Sequence, residues 1–503
     1  MSFIQRLANP SGVTFVASSL LSIIAIVTGN LNRDGMLYVE AARAFLDDGV
    51  MAATSVFSWP FLPILMGGLA KPTGLSPELG GHILNVLFMA GASALLINMV
   101  DRSDRKLAWL SALVILSLPG LNQYRNELIR EYGAWFFIML TFWTVLDWPD
   151  KPSWWRCLAI QLSMVLAALF RPEALAFFAS IVVWQHFQPA RTPPWRRTLM
   201  LSALPAIGLI AILVAHYSGA LPATSRISNE IARFDFSRFD ETARGMAQAF
   251  NFYARDVAQS AHTILFFGSL AIIPWKLIWK FGLYTIPLVY FFGLPERKTA
   301  FRKYRLFQLA IICHLLVLSV FVLQQQFISG RYYGPLLIFA VPFVAIGLNH
   351  WLSIRPKWQW PIVVVGIALA MNNVVSLKAG NQHFSEAGHW LSSQIKDGPR
   401  IYLESARAAH YAGWKFSIRT GLPDRAKLLE EIKRNDFDVV VLETSRKEPS
   451  LADWISLAGL QEIRRFTDDD GDAVIVYVPL GQPFPPAQPS TTPSKREKTT
   501  SAE

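Results

Sequence analysis

The sequence predicts a polytopic α-helical membrane protein with interfacial helices and a small C-terminal extracytoplasmic α/β domain. Three observations carry this. The chain is 52% hydrophobic and 17% charged over 503 residues, whereas soluble proteins carry about a quarter charged residues. Apolar runs recur as far as residue 377, and after about residue 383 the composition changes. The loops between the runs alternate in basic charge, so the net charge of +11 reads as membrane topology rather than a nucleic-acid footprint.

A span takes roughly 20 apolar residues, fewer where it is short or broken. Runs at 14–30, 82–100, 107–121, 131–147, 157–170, 173–188, 198–217, 270–294, 306–325, 334–349 and 360–377 qualify, about eleven spans in all. The start, "MSFIQRLANPSG", has one basic residue and no small-residue cleavage site after it. The first run is therefore expected to be an uncleaved span, not a signal peptide. Cys157 and Cys313 lie in or beside apolar runs, which speaks against a structural disulfide, and no metal-ligand spacing exists. The basic loops "DRSDRK", "DKPSWWR", "QPARTPPWRR", "PERKTAFRKYR" and "IRPKW" fall on one side, which the positive-inside rule makes cytoplasmic. The N-terminus joins them. Loop 31–81, "NQYRNELIRE", the stretch 218–262 and everything after about 378 face the other side.

Residues 35–47, "GMLYVEAARAFLD", show helical spacing, with Leu37, Tyr38, Ala41, Ala42 and Phe45 on one face and Glu40, Arg43 and Asp47 on the other. Such a helix lies in the membrane interface. The run 56–70, "VFSWPFLPILMGGLA", is short and interrupted by Pro60 and Pro63, and suits an interfacial or re-entrant element. The membrane part ends near 380. Over 381–480, "GPRIYLES", "FDVVVLET" and "AVIVYVP" read as buried strands, with "PDRAKLLEEIKRN" and "PSLADWISLAG" as helices between them. "TDDDGDA" at 467–473 lacks the ligand spacing of a calcium loop and reads as a tight turn. The Pro/Ser/Thr/Lys-rich tail 481–503 is expected to be disordered.

The charges that chemistry could use lie on the outer side. Asp34 follows the first span directly. It is placed to cap the next helix, and equally to act as a general base, since a carboxylate beside hydrocarbon is desolvated and more basic. Glu127, Arg130 and Glu131 open the fourth span, where charge is costly unless it faces a cavity or a partner. Arg171 and Glu173 interrupt "AALFRPEALAFF", either turning the chain at the surface or lining an outward pocket for an anionic group. Arg331, with Tyr332 and Tyr333 at a span boundary, runs against the positive-inside trend, and its fork of donors suits phosphate. If the bundle gathers these segments, the result is an outward cavity suited to a lipid phosphate.

In this order, the features resemble the GT-C superfamily of polyprenyl-phosphate-sugar-dependent glycosyltransferases. They are most similar to the bacterial family-39-like, dolichyl-phosphate-mannose-protein mannosyltransferase-like branch, which also resembles the aminoarabinose transferase that modifies lipid A. The resemblance rests on "RDGMLYVEAARAF" after the first span, "SWPFLP" where a proline-bearing element follows, "REYG", "GRYYGPLL" and the C-terminal outer domain. It implies a GT-C-like fold in a bacterial inner membrane, with the active site facing the periplasm. It implies transfer of a sugar from a polyprenyl-phosphate carrier to a glycan, lipid or protein hydroxyl, with inversion. Asp34 would be the base, and Arg331 and Arg171 would hold the leaving phosphate. Arg130, Glu131, Glu173, Tyr38 and Tyr332 would orient the acceptor or line the cavity. Many relatives carry two acidic residues at the first loop, and here the second is Gly35. That disfavours a two-carboxylate or metal-assisted scheme, so no metal or other cofactor is expected.

A transporter or flippase also needs membrane charges, but the sequence has no internal repeat and no matching pair of broken helices. An O-antigen polymerase or ligase would carry a large late outer loop instead. A non-catalytic scaffold would leave the arginines unexplained.

Overall fold

The computed structural model describes residues 9–190, 192–218, 235–252, 254–375, 382–395, 399–414, 424–444, 451–469 and 471–484. Expectations for residues 1–8, for 219–234 of the long outer stretch and for the tail from 485 lie outside the described residues. The chain divides into two compact units, Met1–Val375 and Ser376–Glu503.

The first unit is helical. In chain order it contains α1 (Pro10–Thr28), α2 (Arg33–Asp48), α3 (Val50–Val56), α4 (Phe61–Thr73), α5 (Pro77–Asp101), α6 (Arg105–Ser117), α7 (Glu131–Val145) and α8 (Trp154–Phe170). It continues with α9 (Ala176–Gln185), α10 (Pro194–Tyr217), α11 (Ser237–Phe250), α12 (Ala261–Phe281), α13 (Thr285–Gly293), α14 (Arg305–Gln325), α15 (Gly334–Ile354) and α16 (Gln359–Val374). Short helical turns, among them Pro119–Asn122 and Arg297–Lys303, connect these. Several starts follow from their sequences. Asn9, Ser76, Asp104 and Ser153 each cap a helix by accepting from a backbone N–H, and Pro10 and Pro77 sit at the first helical position.

Every predicted span falls on a helix. Six helical segments are long and apolar enough to cross a membrane: Pro10–Thr28, Pro77–Asp101, Pro194–Tyr217, Ala261–Gly293, Arg305–Gln325 and Gly330–Ile354. The other five predicted spans are helices α6, α7, α8, α9 and α16, of 13, 15, 17, 10 and 16 residues. The span expected at 270–294 begins earlier, at Ala261, because "HTILFFGSL" continues the apolar run. α15 is central, with 67% of its apolar window buried, and α10 is peripheral, with 6%. Around α15 the core is aromatic: Phe142 stacks on Phe339 at 5.0 Å, and Phe177 meets Phe339 edge-on at 5.4 Å.

Two expectations about the outer helices need correction. The buried face of α2 is Gly35, Met36, Tyr38, Val39, Ala41 and Ala42, while Leu37 and Phe45 are only half-buried. Packing against α3, α4 and α5 sets that face. The run 56–70 is interrupted at 57–60, beside Pro60 as expected, but Pro63 does not break it. Pro60 precedes α4 and Pro63 lies in its first turn, where a missing N–H costs no helical bond.

The second unit is an α/β domain with a four-stranded sheet, β1 (Ile401–Leu403), β2 (Val439–Thr444), β3 (Leu460–Thr467) and β4 (Ala473–Pro479). The order is β1-β2-β4-β3, with β1 and β2 parallel and the other pairs antiparallel. Val439 and Val441 pack with Phe384, Leu391 and Ala408 of helices α17 (Gln382–Gln394) and α18 (Ala406–Tyr411). Val440 and Leu442 pack the opposite way, with Leu428 and Ile432 of α19 (Arg425–Lys433). Burial on both faces is why β2 and β4 read as unbroken apolar runs. β3 escapes a sequence reading: "LQEIRRFT" is an edge strand exposed at most positions. Gly471, at φ 89°, closes the β3–β4 hairpin, so the acidic stretch there is a turn.

Candidate active site

Segments 29–35 and 123–130 meet at the C-terminal end of α1. Asn32, the N-cap of α2, accepts a hydrogen bond from the Leu128 N–H at 2.9 Å through its Oδ1. Gly35 packs so closely that a Cβ there would lie 3.0 Å from that of Leu128 and 2.7 Å from Asn32 Oδ1. Glycine at position 35 therefore has a steric cause: α2 docks directly on loop 123–130. That loop is fixed from below by Arg125, which is 2% exposed. Its guanidinium donates to Ser18 O at 2.8 Å, Ser22 Oγ at 2.6 Å and Asn122 Oδ1 at 2.7 Å.

Asp34 is not the cap of α2. It sits in the first turn, and its Oδ2 lies 2.7 Å from an Nη of Arg331. The other Nη of Arg331 is 3.9 Å from Glu127 Oε2. Burial pushes the Glu127 carboxyl up to about 7, against the pull of Arg331. Two carboxylates thus share one arginine, the second supplied by loop 123–130.

A second cluster is more deeply buried. Arg171, 12% exposed in its side chain, reaches Glu131 Oε1 at 3.2 Å and Glu173 Oε1 at 2.6 Å and lies 4.4 Å over the Tyr332 ring. Burial alone would lower its pKa; Glu173 and Glu131 reverse that and hold it protonated. Arg171, Glu131, Glu173, Tyr332 and Arg331 line one pocket. Its apolar wall includes Trp135 and Phe177, and His314 contributes a polar edge. His314 Nε2 is 2.7 Å from the Tyr332 carbonyl, which can only accept, so Nε2 carries the hydrogen.

Tyr38 is buried beside Phe57 at 5.3 Å between ring centroids, and Arg130 lies 5.5 Å over the same Phe57 ring. Burial raises the Tyr38 phenol, and Arg130 pulls it back. All eight candidate residues of the sequence thus gather around the two clusters or against this aromatic flank.

Several neighbours were not singled out. Glu127 was visible as a charge but had no assigned role. Lys280 donates to Tyr124 Oη at 2.7 Å and packs on Gly330, next to Arg331. Lys276, one turn earlier, donates to Ile328 O at 2.5 Å. Their signal is in the sequence: "WKLIWK" places two cations four apart in an apolar run, where charge marks function. Among the described residues no group of three or more His, Cys, Asp or Glu could hold a metal ion.

No family model matches the chain, and no curated protein does. Among solved structures, the chain is similar to ArnT from Cupriavidus metallidurans bound to undecaprenyl phosphate. The TM-score is 0.58 at 13% identity, covering 93% of this chain and 98% of that one. ArnT from the same organism in the apo state gives 0.42 at 12% identity, covering 92% and 97%. At this identity the first likeness shows the fold, and the fold is ArnT-like over nearly the whole chain.

Proposed function

We propose that this chain is an integral membrane glycosyltransferase of the bacterial inner membrane. It moves a sugar from a polyprenyl-phosphate carrier to an acceptor hydroxyl on the periplasmic face, with inversion. The observation that carries the reading is the pairing of Asp34 with Arg331, which lines a pocket together with Arg171, Glu131 and Glu173. Bound undecaprenyl phosphate in the similarly folded ArnT supports a lipid phosphate as one ligand.

Asp34 takes the proton of the acceptor hydroxyl, whose oxygen attacks the anomeric carbon. The bond from that carbon to the carrier's phosphate oxygen breaks, and the polyprenyl phosphate leaves with the electron pair. Positioned cations favour the charge that develops. Arg331 is the first of these. A phosphate arriving at Arg331 competes with Asp34 for the guanidinium, so donor binding would release the base as the substrate is seated. Lys280 and Lys276 flank Arg331 and add positive charge. Arg171, already shared by Glu131 and Glu173, holds the pocket wall and meets the phosphate only through its remaining donors. Glu131, Glu173, Arg130, Tyr38 and Tyr332 shape the acceptor side.

Reconstituted protein is assayed for transfer of radiolabelled sugar from a total extract of polyprenyl-phosphate sugars, beside Asp34→Asn. General-base loss lowers transfer about 10²–10⁴-fold with the thermal melt unchanged. Transfer by Asp34→Asn near the wild-type rate removes Asp34 from the chemistry. A wild-type protein that transfers nothing from any extract favours a transporter of the same lipid.

A further inference from the structure

A second cavity lies at the other end of the same helices. α7 runs from Glu131, in the candidate site, to Val145, and Leu146 just beyond lines the second cavity. α14 does the reverse, with Leu306 and Phe307 at the second cavity and Val317 to Phe321 at the first. A 15-residue helix separates the two by about 22 Å, at about 1.5 Å per residue. The second cavity therefore opens among the basic loops expected on the cytoplasmic side.

Its volume is about 430 Å³, within the roughly 300–1,000 Å³ of ligand sites. Arg302, Lys303 and Arg102 line it with the hydroxyls of Ser103 and Tyr304, which lie 3.0 Å apart. Met99, Leu146 and Phe307 form an apolar wall beside them. Two of the carboxylates nearby are engaged elsewhere, and the third already neutralises Arg102, which leaves Arg302 and Lys303 as the cations for a ligand. Asp147 pairs with Arg102 at 3.0 Å, Asp101 with Arg105 at 3.8 Å, and Asp104 caps α6. Arg302 and Lys303 are exposed and have no carboxylate within ion-pair distance among the described residues. Topology alone asks only that cations be on this side. It does not ask that they converge with two hydroxyls and an apolar wall around one void.

We propose that this cavity binds the phosphate headgroup of an anionic glycerolipid, with Arg302 and Lys303 on the phosphate and the acyl chains along the Leu146–Phe307 wall. Basic pockets between membrane helices on the cytoplasmic side are suited to such headgroups. The site is separate from the donor site proposed above and does not depend on the transferase reading.

The test uses the full chain in neutral detergent and counts lipid adducts by native mass spectrometry. The probes are dioctanoyl phosphatidylglycerol, dioctanoyl phosphatidylcholine and inorganic phosphate. One saturable phosphatidylglycerol adduct is expected, with no phosphatidylcholine adduct at the same concentration. R302Q/K303Q weakens the adduct about tenfold or more. R355Q/K357Q, which removes the same charge on the same side outside the cavity, leaves it unchanged. Ser103→Trp fills the mouth without changing charge and also abolishes it, which covers any failure of the double variant to fold. Equal losses in both double variants, or phosphatidylglycerol binding that survives both R302Q/K303Q and Ser103→Trp, overturns the proposal. So does inorganic phosphate that competes as tightly as the lipid, which would make this a free-anion site.

Discussion

Asp34 and Arg331 come from opposite ends of the membrane unit's sequence, yet a carboxylate oxygen of one lies 2.7 Å from a guanidinium nitrogen of the other. The Asp34 side chain is 42% exposed and that of Arg331 21%. The pair is therefore open to substrate and adds little to stability on its own, since exposed ion pairs contribute roughly 0–1 kcal/mol. Replacing either partner is expected to leave the fold intact, which makes the pair a clean place to separate chemistry from binding.

Asp34→Asn and Arg331→Met should differ in kind. If Asp34 is the base and Arg331 meets the donor phosphate, the first lowers kcat and, by removing the carboxylate that competes for Arg331, lowers rather than raises KM for the donor. The second raises donor KM and lowers kcat/KM by about 10–100-fold, in the range of a lost electrostatic contact. Steady-state kinetics with varied donor distinguishes them, and identical profiles would argue against separate roles.

Glu127 makes stability depend on pH. Its carboxyl is raised from the ordinary 4.5 to about 7. Between those values the folded state keeps a proton that the unfolded state has lost, so this group's contribution to stability falls as pH rises through the window. Glu127→Gln removes the effect. Its melting temperature should match wild type near pH 4 and exceed it by about 2–4 °C at pH 8. A constant difference across that range would mean Glu127 does not titrate there.

Arg171 is held between two carboxylates, and the side chain of Glu131 is only 5% exposed. Arg171→Met removes the cation that both acids share and should cost about 3–5 kcal/mol. Arg171→Met combined with Glu131→Gln and Glu173→Gln should recover part of that loss. Thermal melts of the single and triple variants measure this, and additive losses would show that the three do not act as a unit.

Among the described residues Arg125 has no carboxylate partner; serine and asparagine oxygens and a backbone carbonyl satisfy it. Arg125→Met breaks the tie between α1 and loop 123–130. It should destabilise the protein by about 1.5–3 kcal/mol, the range for hydrogen bonds to a charged group. Because that loop carries Glu127 and supports α2 under Asp34, transfer should fall as well, although Arg125 touches neither pocket. A melt unchanged from wild type would show that the loop is held by other contacts.

Much of this architecture is written locally. Apolar runs and basic loops are properties of neighbouring residues, so each predicted span lands on a helix and the site residues share one side in the prediction. Asp34, Arg130, Glu131, Arg171, Glu173 and Arg331 stood out because a charge beside hydrocarbon is costly wherever the chain goes. β2 and β4 were legible for the same reason, as short runs buried on both faces. β3 was not, because an exposed edge strand carries no such run. What the sequence could not supply is pairing. Asp34 has the sequence of a helix cap, and only the approach of the α14–α15 corner makes it the partner of Arg331. Glu127 reaches Arg331 from a separate loop, and only the docking of α2 on Leu128 reveals why glycine is needed at position 35. Lys276 and Lys280 gain a role from packing against Ile328 and Gly330. The sequence by itself therefore determined the membrane class, the helices and the set of charges that must find partners. The tertiary structure decided which charges meet, because side chains from distant segments come within 3 Å only when helix packing fixes the position of both backbones.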